Sequence, residues 1–296
     1  MTTDSLQPQP RSLKIGFNLL VWTATLSEQM NPMAERLKTI GYDGIECYLG
    51  ETDTQVYQRY GDHLKQLGLS SSAVITLGPD ENPVSESAAV RAKGLDRLKV
   101  AIDCAHAMNA DVICGPFHSA FATFSRQAPT DDEYNRSAEV LHQAGDYAAQ
   151  AGILLTPEAL NRFECYLCNT MTQLADLVRR ADHPNVRAMF DTHHANMEEK
   201  KYADAIATIS PVLAHVHISE NDRGTPGSGH IPWDDAFSAL AKANYRGWLT
   251  IEAFTRNDPD FANAINVWRE YNEPWNIAEQ GLQFIRQMMN KHSLGA

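Results

Sequence analysis

Two hydrophobic rhythms alternate along this chain. Short apolar runs are each followed by a longer stretch in which apolar positions recur at helical spacing. The runs cover residues 13–20, 44–48, 69–77, 111–115, 153–158, 186–191, 213–218 and 247–252. Between and after them the pattern predicts helices near 31–40, up to 67, 86–108, 131–151, 170–180, up to 209, 232–243 and 273–291. Gly41, Gly68 and Gly152 stand where helices should stop, because glycine accepts the left-handed turn that ends a helix. Eight strands, each followed by a helix, predict an α/β chain folded as a single (β/α)8 TIM barrel over residues 13–296. Residues 1–12 are polar and proline-containing and read as a loose tail. A doubly wound sheet would open on a dinucleotide-type glycine fingerprint, which is missing here. No internal repeat, low-complexity tract or linker divides the chain.

Composition narrows the partners. Of 296 residues, 43% are hydrophobic and 21% charged, an ordinary globular balance. The 25 basic against 37 acidic residues give a net charge of −12, which argues against a nucleic-acid backbone or an anionic membrane as partner. A small sugar in a pocket is compatible with it. No apolar run approaches the ~20 residues of a membrane span, and the N-terminal residues lack a basic-then-apolar signal pattern, so a cytoplasmic protein is expected. Five cysteines make no disulfide framework. Cys165-x-x-Cys168 lacks a second Cys/His pair at ligand spacing and reads as packing rather than a zinc site.

The chemistry gathers at strand ends. Val212 to Ile218 is an apolar run carrying His215 and His217, which share a face because strand side chains alternate. One such histidine reads equally as a hydrogen-bonded core residue. However, the fifth to eighth strands end in Glu158, Asp191, His217 and Glu252, and barrel active sites lie at that end of the strands. Three carboxylates and one imidazole suit one divalent ion of intermediate hardness, Mn²⁺ first, with Co²⁺ or Mg²⁺ as alternatives. Glu46 and His118 also lie near strand ends and receive no role.

Four segments carry a family resemblance: Pro157 to Asn169, Phe190 to Asn196, His215 to Arg223 and Leu249 to Phe254. They resemble the ketose 3-epimerases, the D-tagatose and D-psicose 3-epimerase group of the xylose-isomerase-like sugar phosphate isomerase/epimerase barrels. The resemblance implies metal binding by Glu158, Asp191, His217 and Glu252. It implies proton exchange with substrate by Glu158 and Glu252, and contacts to substrate oxygens by Glu164, His194 and Arg223. It further implies a homo-oligomer, a dimer or a tetramer. The run Gly-Ser-Gly-His-Ile-Pro-Trp at 227–233 looks like a loop of the wider superfamily. Two positions depart from the pattern: His193, where some members carry an aromatic residue, and Pro157.

The residue types fit the reaction. Removing the proton beside a ketone yields an enolate, and a divalent ion stabilises that developing charge. Inverting the carbon needs one carboxylate on each face. The same set also serves an aldose–ketose isomerase of the hydroxypyruvate isomerase type or an inosose dehydratase. A phosphorylated ketose is a further option, since Gly224, Gly227 and Gly229 offer backbone donors. An endonuclease IV-type hydrolase would want more histidines and a basic surface. A non-catalytic sugar-binding barrel would have no need of both glutamates.

Overall fold

The computed structural model describes residues 12–295, so the predicted 1–12 tail lies almost wholly outside the described residues. Eight parallel strands form one sheet: β1 Lys14–Asn18, β2 Gly44–Tyr48, β3 Ser70–Val74, β4 Ala110–Gly115, β5 Leu154–Pro157, β6 Ala188–Asp191, β7 Leu213–Ile218 and β8 Trp248–Ile251. Their order is β5-β4-β3-β2-β1-β8-β7-β6. A single bridge, Leu155 to Val186, joins β5 to the segment entering β6. It is flanked by Leu155 N–H donating to Asn185 O and Arg187 N–H to Leu155 O, both at 2.8 Å. This is the predicted TIM barrel.

Among the described residues ten α-helices surround it: α1 Asn31–Ile40, α2 Thr54–Gln66, α3 Ala88–Ala107, α4 Asp131–Ala151, α5 Met171–Ala181, α6 Thr192–Glu198, α7 Tyr202–Ile209, α8 Trp233–Lys242, α9 Pro259–Ala264 and α10 Pro274–His292. Local chemistry fixes several ends. Thr130 and Glu133 close a capping box on α4, as Thr170 and Gln173 do on α5. The expected first and third strands, 13–20 and 69–77, end early, at Asn18 and Val74, and the helices differ from the sequence reading at two places. The single helix expected before Ile209 is two, α6 and α7, separated at Glu199 to Lys201, and α9 in the loop after β8 was not foreseen. Both are short, and short helices carry too little periodicity to show in a sequence.

The floor of the barrel is plugged by Trp248. Its Nε1–H donates to Asp111 Oδ1 at 2.8 Å, and the Lys14 ammonium lies 4.8 Å from the ring centroid. A Cβ at Gly44 would come within 2.4 Å of that ring, so β2 needs glycine there. Access to the barrel interior is therefore from the opposite end, where the strands finish.

Candidate active site

Each of the four predicted strand-end residues reaches one spot. Glu158 follows β5, Asp191 ends β6, His217 is next to last in β7 and Glu252 follows β8. One donor atom from each lies within 4.8 Å of all the others, and all four residues are buried. Pro157 is tolerated because it closes β5, and the ladder continues through Glu158 N–H, which donates to Gly115 O at 2.9 Å. Asp191 divides its oxygens. Oδ1 caps α6, accepting from the backbone N–H of His193 at 2.6 Å and of His194 at 3.2 Å, while Oδ2 faces the cluster. Burial, and then the Glu252 and Asp191 carboxylates, push the Glu158 carboxyl well above its usual range. Burial would raise Asp191 too, but Arg223 and the nearby histidines outweigh it and hold it well below.

Two buried atoms in this cluster have no hydrogen-bond partner: Glu158 Oε1 and His217 Nδ1. His217 Nδ1 lies 3.4 Å from Glu252 Oε1 and 3.5 Å from Asp191 Oδ2. Unpaired buried polar atoms are costly, and an oxygen-rich set with one imidazole is the donor chemistry a divalent cation satisfies. The residues fit such an ion.

The other nitrogen of His217 is already engaged. Nε2 lies 2.8 Å from Glu46 Oε1, below the cluster and fully buried. Glu46 is saturated. Asn18 Nδ2 donates at 2.9 Å, Ser72 Oγ at 2.8 Å and Cys114 Sγ at 3.3 Å. His215 Nε2 lies 2.9 Å from Glu46 Oε2 but off the line of a hydrogen bond, so that contact is electrostatic. Burial would lift the Glu46 carboxyl, but the two imidazoles overcome it and hold it well below its usual range. His217 moves the other way: against the cost of burial, Glu252 and Glu46 raise it well above the histidine norm. A carboxylate that takes one ring nitrogen and aims the other at a cation site is a recurrent way of orienting a metal-binding histidine. Sequence reading left Glu46 without a role. Its signal was available: a carboxylate in the middle of the apolar run Gly44–Tyr48 must find buried donors. The shared face of His215 and His217 holds, since both approach Glu46.

Arg223 closes the cluster from above. Its Nη1 donates to Glu252 Oε2 and Ser219 Oγ at 2.8 Å and to Asp191 Oδ2 at 3.1 Å, and its guanidinium lies 4.9 Å from the Phe254 ring centroid. Arg223 is 8% exposed, so these ion pairs are buried. The residue has φ +64°, a left-handed conformation unusual outside glycine. The loop that imposes it is held by Glu220, another residue sequence reading passed over. The Glu220 carboxylate accepts from the backbone N–H of Asn221, Gly227 and Ile231 and from Trp233 Nε1. A Cβ on Gly229 would fall 2.0 Å from Asn221 Oδ1, so the 227–233 loop needs its second glycine for close approach. These glycines therefore serve the fold of the loop.

His194 is buried with Nδ1 accepting from the backbone N–H of Asn161 at 3.1 Å and from its side chain at 2.9 Å. Its Nε2 lies 2.9 Å from Arg223 Nη2 and 3.6 Å from Glu158 Oε1. Burial and then Arg223 hold it well below the histidine norm, so it is neutral. Glu164 accepts from Asn161 Nδ2 at 2.8 Å, and burial raises its carboxyl. Asn161 therefore ties these two predicted contacts together. His118 donates to the Glu158 carbonyl at 2.7 Å, anchoring the backbone of that segment; burial depresses it to about 4.

A cavity of about 350 Å³ opens over the cluster. Its lining includes Glu158, Glu252, Glu164, His193, His194 and Arg223 together with the apolar Leu20, Val74, Pro116, Phe121, Phe254 and Ile265. The α9 segment supplies part of that apolar lining. Phe254 and Phe121 are among the aromatics lining the cavity, while Phe117 is core and Trp22 packs on Phe17 and Trp275. Cys165 and Cys168 are buried free thiols, as is each of the other three cysteines. No helix among the described residues is long and apolar enough to cross a membrane.

Comparison with known proteins gives concordant matches. Residues 34–288 match the family model described as xylose isomerase-like TIM barrel. D-psicose 3-epimerase of Agrobacterium fabrum is 31% identical over 271 residues, covering 90% of this chain and 94% of that protein. L-ribulose 3-epimerase of a Methylomonas species is 30% identical, covering 94% and 98%. The crystal structure of D-allulose 3-epimerase from Methylomonas in complex with D-allulose superposes with a TM-score of 0.87 at 29% identity, covering 94% of this chain and 98% of that one.

Proposed function

This chain belongs to the ketose 3-epimerase family of xylose isomerase-like TIM barrels, a family of isomerases, and from that premise we propose that it inverts carbon 3 of a free ketose by proton transfer between Glu158 and Glu252. The observation that carries the reading is convergence. Two glutamates from β5 and β8 face one cavity, and between them His217 presents a ring nitrogen with no protein partner. Glu158, Asp191, His217 and Glu252 would hold one divalent ion, Mn²⁺ by preference. When bound, that ion supplies the positive charge that stabilises the negative charge developing on the ketone side of the substrate.

The protein's own groups do the rest. One glutamate takes the C3 proton and the other returns a proton from the opposite face, so the roles exchange with the epimer bound. In the ion-free protein burial and like charge raise the Glu158 carboxyl. Arg223, His194 and Glu164 contact substrate oxygens and fix the sugar so that C3 lies between the two carboxylates. A free sugar is favoured over a phosphorylated one, because Arg223 is the only lysine or arginine among the cavity-lining residues and is already paired with Asp191 and Glu252.

The test is deuterium incorporation in D₂O with Mn²⁺, using D-psicose, D-tagatose and L-ribulose. Metal-dependent label at C3 with the C3 epimer appearing, lost in Glu252→Gln, is the expected outcome. Label at C1 with aldose formed would replace the reading with an aldose–ketose isomerase.

A further inference from the structure

The two adjacent histidines on α6 are used differently. His194 fills its Nδ1 with two donors from Asn161 and turns Nε2 to Arg223 and Glu158. The His193 ring stands nearly perpendicular to it, with centroids 5.2 Å apart and planes at 85°. Its Nδ1 lies 3.0 Å from the carbonyl oxygen of Glu220. A carbonyl only accepts, so the proton of the neutral ring sits on Nδ1. That leaves Nε2 with a lone pair, and no described residue donates to it. His193 lines the cavity, and one of its ring nitrogens lies within 4.8 Å of donor atoms of both Glu164 and His194.

We infer that His193 is a specificity-determining residue whose Nε2 accepts a hydrogen bond from a substrate hydroxyl at the polar end of the cavity. The inference rests on the ketose reading above and adds to it a residue at which the sequence departs from the aromatic found in some members of the family. A phenyl ring at this position offers an apolar face; this imidazole offers an oriented acceptor. The hydroxyl concerned is that of C1. With C3 between Glu158 and Glu252, the short side of the sugar is the ketone and one hydroxymethyl group. That short, oxygen-rich piece matches the end formed by Arg223, His194, Glu164 and His193. The longer C4–C6 side is left to the rest of the lining, which includes the apolar Leu20 and Val74. Glu220 thus has two consequences: its carboxylate shapes the Arg223 loop, and its carbonyl sets the tautomer of His193.

The experiment compares D-psicose with 1-deoxy-D-psicose on the wild type, His193→Phe and His193→Gln, all loaded with Mn²⁺. The steady-state constants and the ligand affinity by calorimetry are both measured. One lost neutral hydrogen bond corresponds to about a tenfold change. Wild type should prefer D-psicose over its 1-deoxy analogue by at least about that factor, chiefly in KM. His193→Phe should cut the preference by about tenfold, with the loss falling mainly on D-psicose. His193→Gln, whose amide oxygen can reach the same place, should restore part of it. An equal loss for both sugars in His193→Phe, or a preference that the substitution leaves unchanged, overturns the inference. If the wild type turns over neither sugar at C3, the epimerase reading fails; the calorimetric preference, present or absent, still decides the role of His193.

Discussion

Two clusters of similar composition lie one above the other inside the barrel, and they meet at His217. The upper one holds Glu158, Asp191 and Glu252; the lower one holds Glu46, His215 and Cys114. Both are buried, and both would satisfy a search for metal-capable side chains. They differ in how their polar atoms are paired. In the lower cluster one carboxylate is surrounded by donors, so the group is settled as an anion. In the upper cluster three carboxylates share one arginine, His217 and the more distant His194, and a carboxylate oxygen, Glu158 Oε1, has no hydrogen-bond partner, whereas the unpartnered atoms of the lower cluster are the two nitrogens of His215. Donor supply, rather than residue type, separates a structural anion from a site arranged to receive a cation.

That contrast is open to test. The largest effect is expected at the top: Glu252→Gln should lower kcat by about 10³-fold or more while the fold is kept, measured by NMR of C3 exchange. Activity within tenfold of wild type would remove Glu252 from proton transfer. Glu46→Gln, below, should weaken Mn²⁺ binding by about 10- to 100-fold, read by titration calorimetry. An unchanged affinity would mean His217 needs no orientation from Glu46. A third prediction concerns pH. In the ion-free protein the Glu158 and His217 values are raised, so both groups tend to hold protons that a cation must displace. Affinity should therefore rise with pH, by up to about tenfold per unit for each proton released. Calorimetry in buffers of different ionisation heat counts those protons, and finding none would contradict the shifts. The smallest effect is expected at Cys114, a weak donor to a carboxylate that has better ones. Cys114→Ala should change Mn²⁺ affinity by less than about threefold, and a larger loss would make the lower cluster part of the ion site.

Much of the fold was legible because the barrel repeats one unit. Buried parallel strands write themselves as apolar runs, and long helices as periodic ones, so β7 and α4 fall at the predicted residues. The strand-end carboxylates were legible for the same reason: a polar residue closing an apolar run is conspicuous. Glu46 and Glu220 were harder. Glu46 acts through partners far along the chain, from Asn18 to His217, and Glu220 through backbone and indole donors of the irregular 221–233 loop that follows it. Spacing cannot show which donors a fold will bring to a carboxylate. The division between Nδ1 and Nε2 of His217 is likewise a matter of orientation, which depends on the register of β7 against β6 and β8 and on Glu46 reaching it from β2. The α9 segment was invisible because it is short and owes its place to the cavity wall.

The seam of the barrel gives its own consequence. Between β5 and β6 the ladder is reduced to one bridge, whereas the other neighbours pair over several residues. Glu158 and Asp191 stand on opposite banks of that seam. An ion gripped by both would act as a rivet across the weakest joint of the cylinder, coupling catalytic readiness to mechanical integrity. Loss of the ion would then be felt first as slackening of one wall, long before the barrel as a whole gives way.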